Sequence, residues 1–211
     1  MTVSTPAGTF AALTYFKAGP HGAPAPQGFR ASKENHTMKL FSANIEDLRS
    51  LYIDNLQKAL DMEEKIVKAL PDLIAKSTDP ALAEAFRSHL QETEVHVMKV
   101  ETLLRNATGD ASTVTCKVIG ALTTEASDTI KDVTEPSVRD VAIIGAAQQV
   151  EHHEIAVYGT LRTWAELLGL EDDADVLESI LQEEKNADET LSDLSDGINT
   201  SAETVKVGSP R

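Results

Sequence analysis

The chain has 211 residues, with 34 Asp or Glu against 19 Lys or Arg and a formal net charge of −15. Its length suits one domain, or one domain with a tail, and its 41% of hydrophobic residues exclude wholesale disorder. The negative charge argues against binding to nucleic acids or acidic membranes, because their phosphates would be repelled. No apolar run reaches the roughly 20 residues of a membrane helix. The single cysteine, Cys116, cannot form an internal disulfide, so we expect a reducing cytoplasm.

Composition divides the chain into three segments. Residues 1–37 hold half of the eight prolines, and no apolar periodicity survives among their prolines and glycines. They also lack the basic start and long apolar stretch of a signal peptide. We therefore predict a disordered N-terminal extension over residues 1–37, a helical domain over 38–196, and a flexible C-terminal tail over 197–211.

The helical domain shows the apolar period of α-helices and no sustained alternation of the kind that strands show. Asp79 and Pro80 are typical of a helix start, Asp172 is expected to cap the last helix, and Pro71 is expected to kink the first helix or end it early. The predicted helices cover residues 44–76, 80 to an end between 106 and 109, 118–133, 136–168 and 172–196.

The connection lengths predict the architecture. The first two long helices are joined by a short link, as are the last two, so each pair should form an antiparallel hairpin. The link between the pairs is long and carries the short helix at 118–133. One long crossover is typical of the ferritin-like form of the antiparallel four-helix bundle, and we predict this all-α fold.

Several polar residues fall on or beside the apolar stripes of the long helices when each residue turns the helix by about 100°. Taken singly, each of the glutamates fits a solvent-exposed side chain, and His89 fits a core histidine hydrogen-bonded to a backbone carbonyl. The near-central positions are Glu63, His89, Thr93, His96, Glu154 and Glu184, and the flanking positions are Glu92, Glu151 and Asp188.

Together these carboxylates suggest a metal site. Several carboxylates facing one another in a bundle core cannot all stay ionised without a counter-charge, and two divalent ions would supply it. Oxygen ligands with one or two imidazoles suit iron, with manganese as the alternative. We prefer Glu184 to Glu183 because it lies nearer the stripe centre. The candidate ligands are Glu63, Glu92, His96, Glu151, Glu154, Glu184 and Asp188.

The spacing departs from the usual di-iron bundle, which draws a Glu-x-x-His motif from two of its helices. Position i+3 holds Val95 after Glu92, and Ala187 after Glu184. His96 and Asp188 stand one residue later, at i+4, which is still the same helix face. They therefore enter the candidate set.

The sequence also resembles the YciF-like, stress-associated family of ferritin-like bacterial proteins, which is related to rubrerythrins. The most specific segment is residues 147–156, with the sequence Ala-Gln-Gln-Val-Glu-His-His-Glu-Ile-Ala. The resemblance implies a helical homodimer with a rubrerythrin-like metal centre and a link to stress responses. It implies no established reaction. The other matching segments are residues 62–70, 89–93, 138–142, 158–161, 164–167 and 181–188, with Cys116 in the crossover.

Three functions fit these observations. The first is a redox-active protein with two metal ions, a possible di-iron oxidoreductase whose small-molecule partner is an oxidant such as oxygen or peroxide. The second is a non-enzymatic dimeric bundle used for partner binding. The third is iron storage, which would need a shell of many subunits.

Overall fold

The computed structural model describes residues 45–205 of the protein. The predicted extension over residues 1–37 lies outside this range, as does the end of the predicted tail. Within the described range the chain forms only helices, with no strand. The five helices are α1 (Leu48–Lys76), α2 (Pro80–Thr108), α3 (Lys117–Asp132), α4 (Pro136–Leu167) and α5 (Glu171–Glu203).

The four long helices form the predicted bundle. Helix α1 packs on α2 and α4 packs on α5, while α1–α4 and α2–α5 contacts join the two pairs. The start of α4 lies beside the end of α1, where Thr78 and Asp79 donate to Asp140. The starts of α1 and α5 share the other end, where the Tyr52 hydroxyl donates to Asp173 over 3.0 Å. The link from α2 to α4 must therefore run the length of the bundle, as the ferritin-like topology requires.

The crossover follows α1 closely before α3 begins. The Val114 amide donates to the Gln57 carbonyl over 3.2 Å, and the Cys116 amide donates to the Asp61 carboxylate over 2.7 Å. Lys65 donates to the carbonyl of Cys116 and also pairs with Asp61. These bonds satisfy a backbone that has no helical partners, and they direct α3 onto α1 and α4.

Helix α1 continues through Pro71 and ends only at Lys76, so the expected early end is wrong. Proline removes one amide from the helical bonding pattern. Pro71 is exposed, so water can bond the unpaired carbonyl one turn earlier. At its start, α1 has a reciprocal cap in which Asp47 accepts from the Ser50 amide.

The caps of α2 follow the prediction, whereas the start of α5 does not. Asp79 accepts from the amides of Ala81 and Leu82, and Pro80 is the first residue of α2. Asp172 does not cap α5: it lies in the first turn of a helix that follows Leu170. A Schellman motif ends α4, with the Leu170 amide donating to the Ala165 carbonyl over 2.9 Å. Leu170 is the last residue of this motif, and α5 begins directly after it at Glu171.

The predicted flexible tail also begins too early. Helix α5 continues through residues 197–203, and Ile198 is buried in the core. Burial of an apolar side chain explains why a polar, glycine-containing segment stays helical. Among the described residues, no helix is long and apolar enough to cross a membrane.

The turn between α1 and α2 depends on one buried carboxylate from α4. Asp140 is 3% exposed, and it accepts from the Thr78 amide over 2.8 Å, the Asp79 amide over 2.9 Å and the Thr78 hydroxyl. Backbone amides of a buried turn need such acceptors. Asp140 therefore fixes the turn between α1 and α2 against the start of α4.

We expect Asp140→Ala to lower the free energy of unfolding by about 2–3 kcal/mol, since each bond to a charged group contributes about 1.5–3 kcal/mol and two amides lose their acceptor. Urea unfolding followed by circular dichroism measures this. Asp128→Ala, at an exposed site on α3, is the matched control and should change stability little. Equal stability of the two variants would contradict the role given to Asp140.

Candidate metal centre

All four long helices direct ionisable side chains into the centre of the bundle. Helices α1 and α5 each supply one glutamate, α4 supplies two, and α2 supplies two histidines. Each of these residues is at most 6% exposed. The six residues, which we call the core cluster, are Glu63, His89, His96, Glu151, Glu154 and Glu184.

Helical spacing explains why these side chains face inward. His89 and His96 lie seven residues apart on α2, and Glu151 and Glu154 lie three apart on α4; both spacings keep side chains on one helix face. The interior position of Glu63 on α1 is 0% exposed. Apolar core residues lie on both sides along each helix, so the cluster occupies a low-dielectric region.

The first part of the cluster joins α1, α2 and α5. The Nδ1 atom of His96 lies 2.9 Å from Oε1 of Glu184 and 3.8 Å from Oε2 of Glu63. The Glu184 contact is close but lacks hydrogen-bond geometry, since neither atom has a hydrogen-bond partner. Glu63, His96 and Glu184 can each direct one ligand atom so that all three lie within 4.8 Å of one another. That arrangement can hold a metal ion.

The second part of the cluster joins α2, α4 and α5. The Nε2 atom of His89 lies 3.4 Å from Oε1 of Glu151. His89, Glu151, Glu154 and Glu184 again place one ligand atom each within 4.8 Å of one another. Glu184 belongs to both groups, and a carboxylate has two oxygens, so Glu184 would be shared if each group held an ion.

Buried polar atoms in the cluster have no hydrogen-bond partner among the described residues. Such atoms are rare in folded proteins, and each costs about 1–3 kcal/mol unless an ion pair compensates it, as between His96 and Glu184. A metal ion bound by these oxygen and nitrogen atoms would remove this cost. The unpaired atoms are Oε2 of Glu63, both ring nitrogens of His89, Nδ1 of His96, Oε2 of Glu151, and both oxygens of Glu154 and Glu184.

Burial and mutual repulsion change the protonation of these groups. Burial raises the pKa of Glu151 and Glu154 well above the ordinary 4.5, and the Glu184 carboxylate raises both further. Burial also raises the pKa of Glu184, to about 7, although His96 opposes it. These carboxylates therefore stay ionised together only with added positive charge.

The two histidines shift in opposite directions. Burial lowers the pKa of His89 to about 4, with a further contribution from His96. Burial also disfavours charge on His96, but the adjacent Glu184 and Glu63 carboxylates outweigh it and raise the pKa of His96 to about 10. Without metal, His96 is thus the one cation of the core cluster.

Neighbouring groups orient the cluster. The Nε2 atom of His96 lies 2.6 Å from Oε2 of Glu183, which also accepts from Lys99 over 3.0 Å. The Tyr158 hydroxyl is buried and donates to Oε1 of Glu63. These contacts direct Nδ1 of His96 and Oε2 of Glu63 toward the centre, as the partners of metal ligands do in other proteins.

The structure brings together five of the seven predicted ligands: Glu63, His96, Glu151, Glu154 and Glu184. Glu92 lies outside the cluster because its side chain is 46% exposed, with its nearest oxygen 3.9 Å from His89. Asp188 is also outside both groups; it lies at the edge of the cluster, 3.5 Å from the exposed His152. Glu183 contacts His96 from the far side and belongs to neither group.

His89 is the residue whose role the sequence analysis did not identify. The sequence pattern places it on the apolar side of α2 and predicts a core histidine bonded to a backbone carbonyl. The structure gives it no such bond and places it beside Glu151. Its distance of seven residues from His96 is the signal that would have revealed it.

Two cavities reach the His89 and Glu151 end of the cluster. One, of about 230 Å³, lies under α3 and is largely apolar. The other, of about 140 Å³, lies between α2, α4 and α5 and includes Ser88, Glu92 and Asn186 in its wall. The cluster is therefore accessible from two sides of different polarity.

Comparison with known proteins assigns the family. A family described as a domain of unknown function (DUF892) matches residues 47–203, which is most of the chain. The chain belongs to this family. It is 34% identical over 162 residues to Protein YciF of Escherichia coli, covering 76% of this chain and 98% of that protein.

Solved structures agree with the observed fold. YcfI from Rhodopseudomonas palustris, provisionally named a structural protein, is 35% identical with a TM-score of 0.70, covering 79% of this chain and 99% of its own. A ferritin-like, di-iron carboxylate protein from Bacillus anthracis is 17% identical with a TM-score of 0.57, covering 71% and 99%. At that identity the second likeness concerns the fold alone, which is ferritin-like.

The shifted groups predict a pH dependence for the chelator-treated protein. A histidine whose folded pKa is raised stabilises the fold below its unfolded pKa of about 6.5, and this stability is lost as pH rises through about 10. The raised pKa values of Glu151 and Glu154 act in the same direction, because the folded protein holds protons there that the unfolded chain has released. The free energy of unfolding should therefore fall between about pH 7 and 10, as urea titrations at fixed pH would measure.

The matched pair for this measurement is His96→Gln and His152→Gln. His152 is exposed, so its variant should keep the parent's pH dependence, whereas His96→Gln should reduce its slope to the part that Glu151 and Glu154 contribute. An unchanged slope in His96→Gln would contradict the charge assigned to the buried imidazole.

Proposed function

We propose that this protein binds two divalent metal ions, iron with manganese as the alternative, in its core cluster and uses them in oxygen- or peroxide-linked redox chemistry during stress. The observation that carries the proposal is the cluster itself: four carboxylates and two imidazoles, all buried, each with at least one unpaired donor or acceptor. Carboxylate-rich sites with imidazoles suit these metals.

Charge balance supports two ions rather than one. Four ionised glutamates bring four negative charges, which two divalent ions would neutralise. Over residues 45–205, no lysine or arginine is buried to take that place. A buried charge without compensation costs several kcal/mol. Binding of two divalent ions would therefore lower the free energy of the ionised cluster.

The donor set matches the ferritin-like di-metal pattern in composition. That pattern has four glutamates and two histidines, with one histidine from each of two helices. Here both histidines come from α2. We assign Glu63 and His96 to one ion, His89, Glu151 and Glu154 to the other, and Glu184 to both. The exposed Glu92 is not included.

The protein's own groups would prepare the ligands. Glu183 holds the Nε2 side of His96, so Nδ1 can present its lone pair toward Glu63 and Glu184 once its proton leaves. Tyr158, whose pKa burial raises well above the usual 10, stays protonated and holds one oxygen of Glu63. Bound ferrous ions would supply the electrons for reduction of oxygen or peroxide.

The relatives support the stress role without defining a reaction. The E. coli relative is a stress protein, and the B. anthracis protein is named for a di-iron carboxylate site. We propose that this chain also acts during stress. The name of the B. anthracis protein is a precedent for metal in this fold. We also propose a cytoplasmic homodimer, and exposed Val95 and Met98 on α2 offer it an apolar contact.

A structural role is the second candidate, because the R. palustris relative carries that provisional name. A bundle that serves only as a scaffold gains nothing from four buried glutamates, since apolar residues of similar volume are often more stable. The unpaired atoms of the cluster therefore favour metal binding over a scaffold.

Metal titration tests the proposal. The parent protein should bind about two Mn²⁺ or anaerobic Fe²⁺ ions per chain, as bridged two-metal sites do. Glu63→Gln combined with Glu154→Gln should lose this binding. Isothermal titration calorimetry measures the stoichiometry, and the ultraviolet–visible spectrum after adding Fe²⁺ in air measures the redox step.

Glu92→Gln is the matched control because Glu92 is exposed and outside the cluster; its equilibrium binding should equal the parent's. Metal binding without spectral change in air would remove the redox role and leave the metal site. Binding that is equal in the parent and the double variant would overturn the site.

Removal of one buried carboxylate should affect the metal-free and metal-bound proteins in opposite ways. Glu154→Met replaces a fully buried, unpaired carboxylate with an apolar side chain of similar length. The chelator-treated variant should be more stable than the parent, on the order of 1–4 kcal/mol. Stabilisation by Mn²⁺, about 2.7 kcal/mol at a hundred times the dissociation constant, should be lost.

Thermal melts of parent and variant, each with chelator and with Mn²⁺, give the four values. A less stable chelator-treated variant, together with a parent that does not respond to Mn²⁺, would favour the structural role.

A further inference from the structure

The cavity under α3 is a second feature that the metal centre does not explain. Its volume is about 230 Å³, and its walls come from α1, α2, α3 and α4. Most of the wall is apolar, as in Ile66, Leu70, Phe86, Ile130 and Ala147. An engineered apolar cavity of about 150 Å³ is large enough to take benzene, so this one has room for a six-membered ring with a substituent or for a short alkyl chain.

The polar groups of the cavity wall divide into those in solvent or hydrogen-bonded and those left unsatisfied. The Thr123 hydroxyl donates to the Ile119 carbonyl over 2.8 Å, Ser127 is exposed, and Asp72 is exposed and pairs with Lys76. At the buried end, His89 and Glu151 are 6% and 2% exposed. Both ring nitrogens of His89 and Oε2 of Glu151 have no hydrogen-bond partner among the described residues.

This distribution defines the ligand's chemistry. One end of the ligand meets a buried donor and acceptor, and the rest meets apolar walls. The carboxylates beside Glu151 would repel an anion, and a cation such as an ammonium group has no acceptor for the ring N–H of His89, so the polar end must be neutral. A hydroxyl fits best, since it can accept a hydrogen bond from His89 and donate one to Glu151.

We propose that this cavity binds a small neutral molecule of the phenol or short-chain alcohol class, with its hydroxyl at His89 and Glu151 and its apolar part under α3. The binding itself does not depend on the proposed metal. If His89 and Glu151 held an ion, the cavity would open onto that centre and would be its substrate pocket; this last step alone rests on the proposed function.

The experiment uses the full chain, treated with chelator, and 4-fluorophenol as the probe, followed by ¹⁹F nuclear magnetic resonance. The parent should bind the probe saturably. Ala126→Phe, which fills the cavity from α3, should weaken binding on the order of tenfold or more, a loss of about 1.4 kcal/mol. Ala146→Leu fills the opposite wall and gives a second reading if the first variant does not fold.

Ala121→Phe is the matched control, because Ala121 is exposed on the same helix and does not line the cavity. Its affinity should stay within about twofold of the parent's, a difference of less than about 0.5 kcal/mol. All variants should keep the parent's Mn²⁺ stoichiometry, which separates loss of the cavity from loss of the metal site.

Two further probes test the polar end. 4-Fluorotoluene has nearly the same shape without the hydroxyl and should bind more weakly than 4-fluorophenol. 4-Fluorobenzoate carries a negative charge and should bind on the order of tenfold or more weakly. Equal binding of either probe would overturn the assignment of His89 and Glu151 to a neutral hydroxyl. No saturable binding by the parent, or full affinity in Ala126→Phe and Ala146→Leu, would overturn the cavity itself.

Discussion

The structure depends on how the protein accommodates four carboxylates and two imidazoles at the centre of a helical bundle. In an apolar interior each such group needs a partner, and groups of like charge raise one another's cost. His96 is the only cation that the cluster supplies, and it serves Glu63 and Glu184 but not Glu154. The rest of the bundle must therefore be stable enough to hold a costly centre.

That stability comes from hydrogen bonds at the two ends of the bundle and from the apolar core between them. At one end the Tyr52 hydroxyl reaches Asp173 and connects the starts of α1 and α5. At the other end Asp140 binds the turn between α1 and α2. Apolar side chains from all four long helices fill the space between these ends and the cluster. Because the helices are held at both ends, the side chains of the core cluster lie close together even where they make no hydrogen bond to one another.

The cluster and the apolar cavity share residues, which gives the protein two environments in contact. His89 and Glu151 contribute to both. Helix α3 covers the cavity, and the crossover that carries α3 is held to α1 through Cys116 and Lys65. The long crossover is therefore more than a link between helix pairs, because it forms one wall of the cavity beside the centre.

Much of this could be predicted from the sequence. Apolar periodicity gave the number and order of the helices, and the lengths of the links gave the ferritin-like topology. The apolar stripes predict Glu63, Glu154 and Glu184 close to the stripe centres, and all three are fully buried. Periodicity succeeds here because a helix that packs against neighbours along its whole length must keep one face apolar, so a central polar residue is conspicuous.

The tertiary structure alone decided which flanking residues enter the centre. Glu92 and His89 are three residues apart, which separates them by about 60° around α2, and the sequence does not say how far the interior extends on either side. Packing of α4 and α5 places the boundary so that His89 faces Glu151 while Glu92 faces solvent. The sequence determined which helix faces are buried, but only the neighbouring helices determined where each face ends, because burial is a property of contacts between helices.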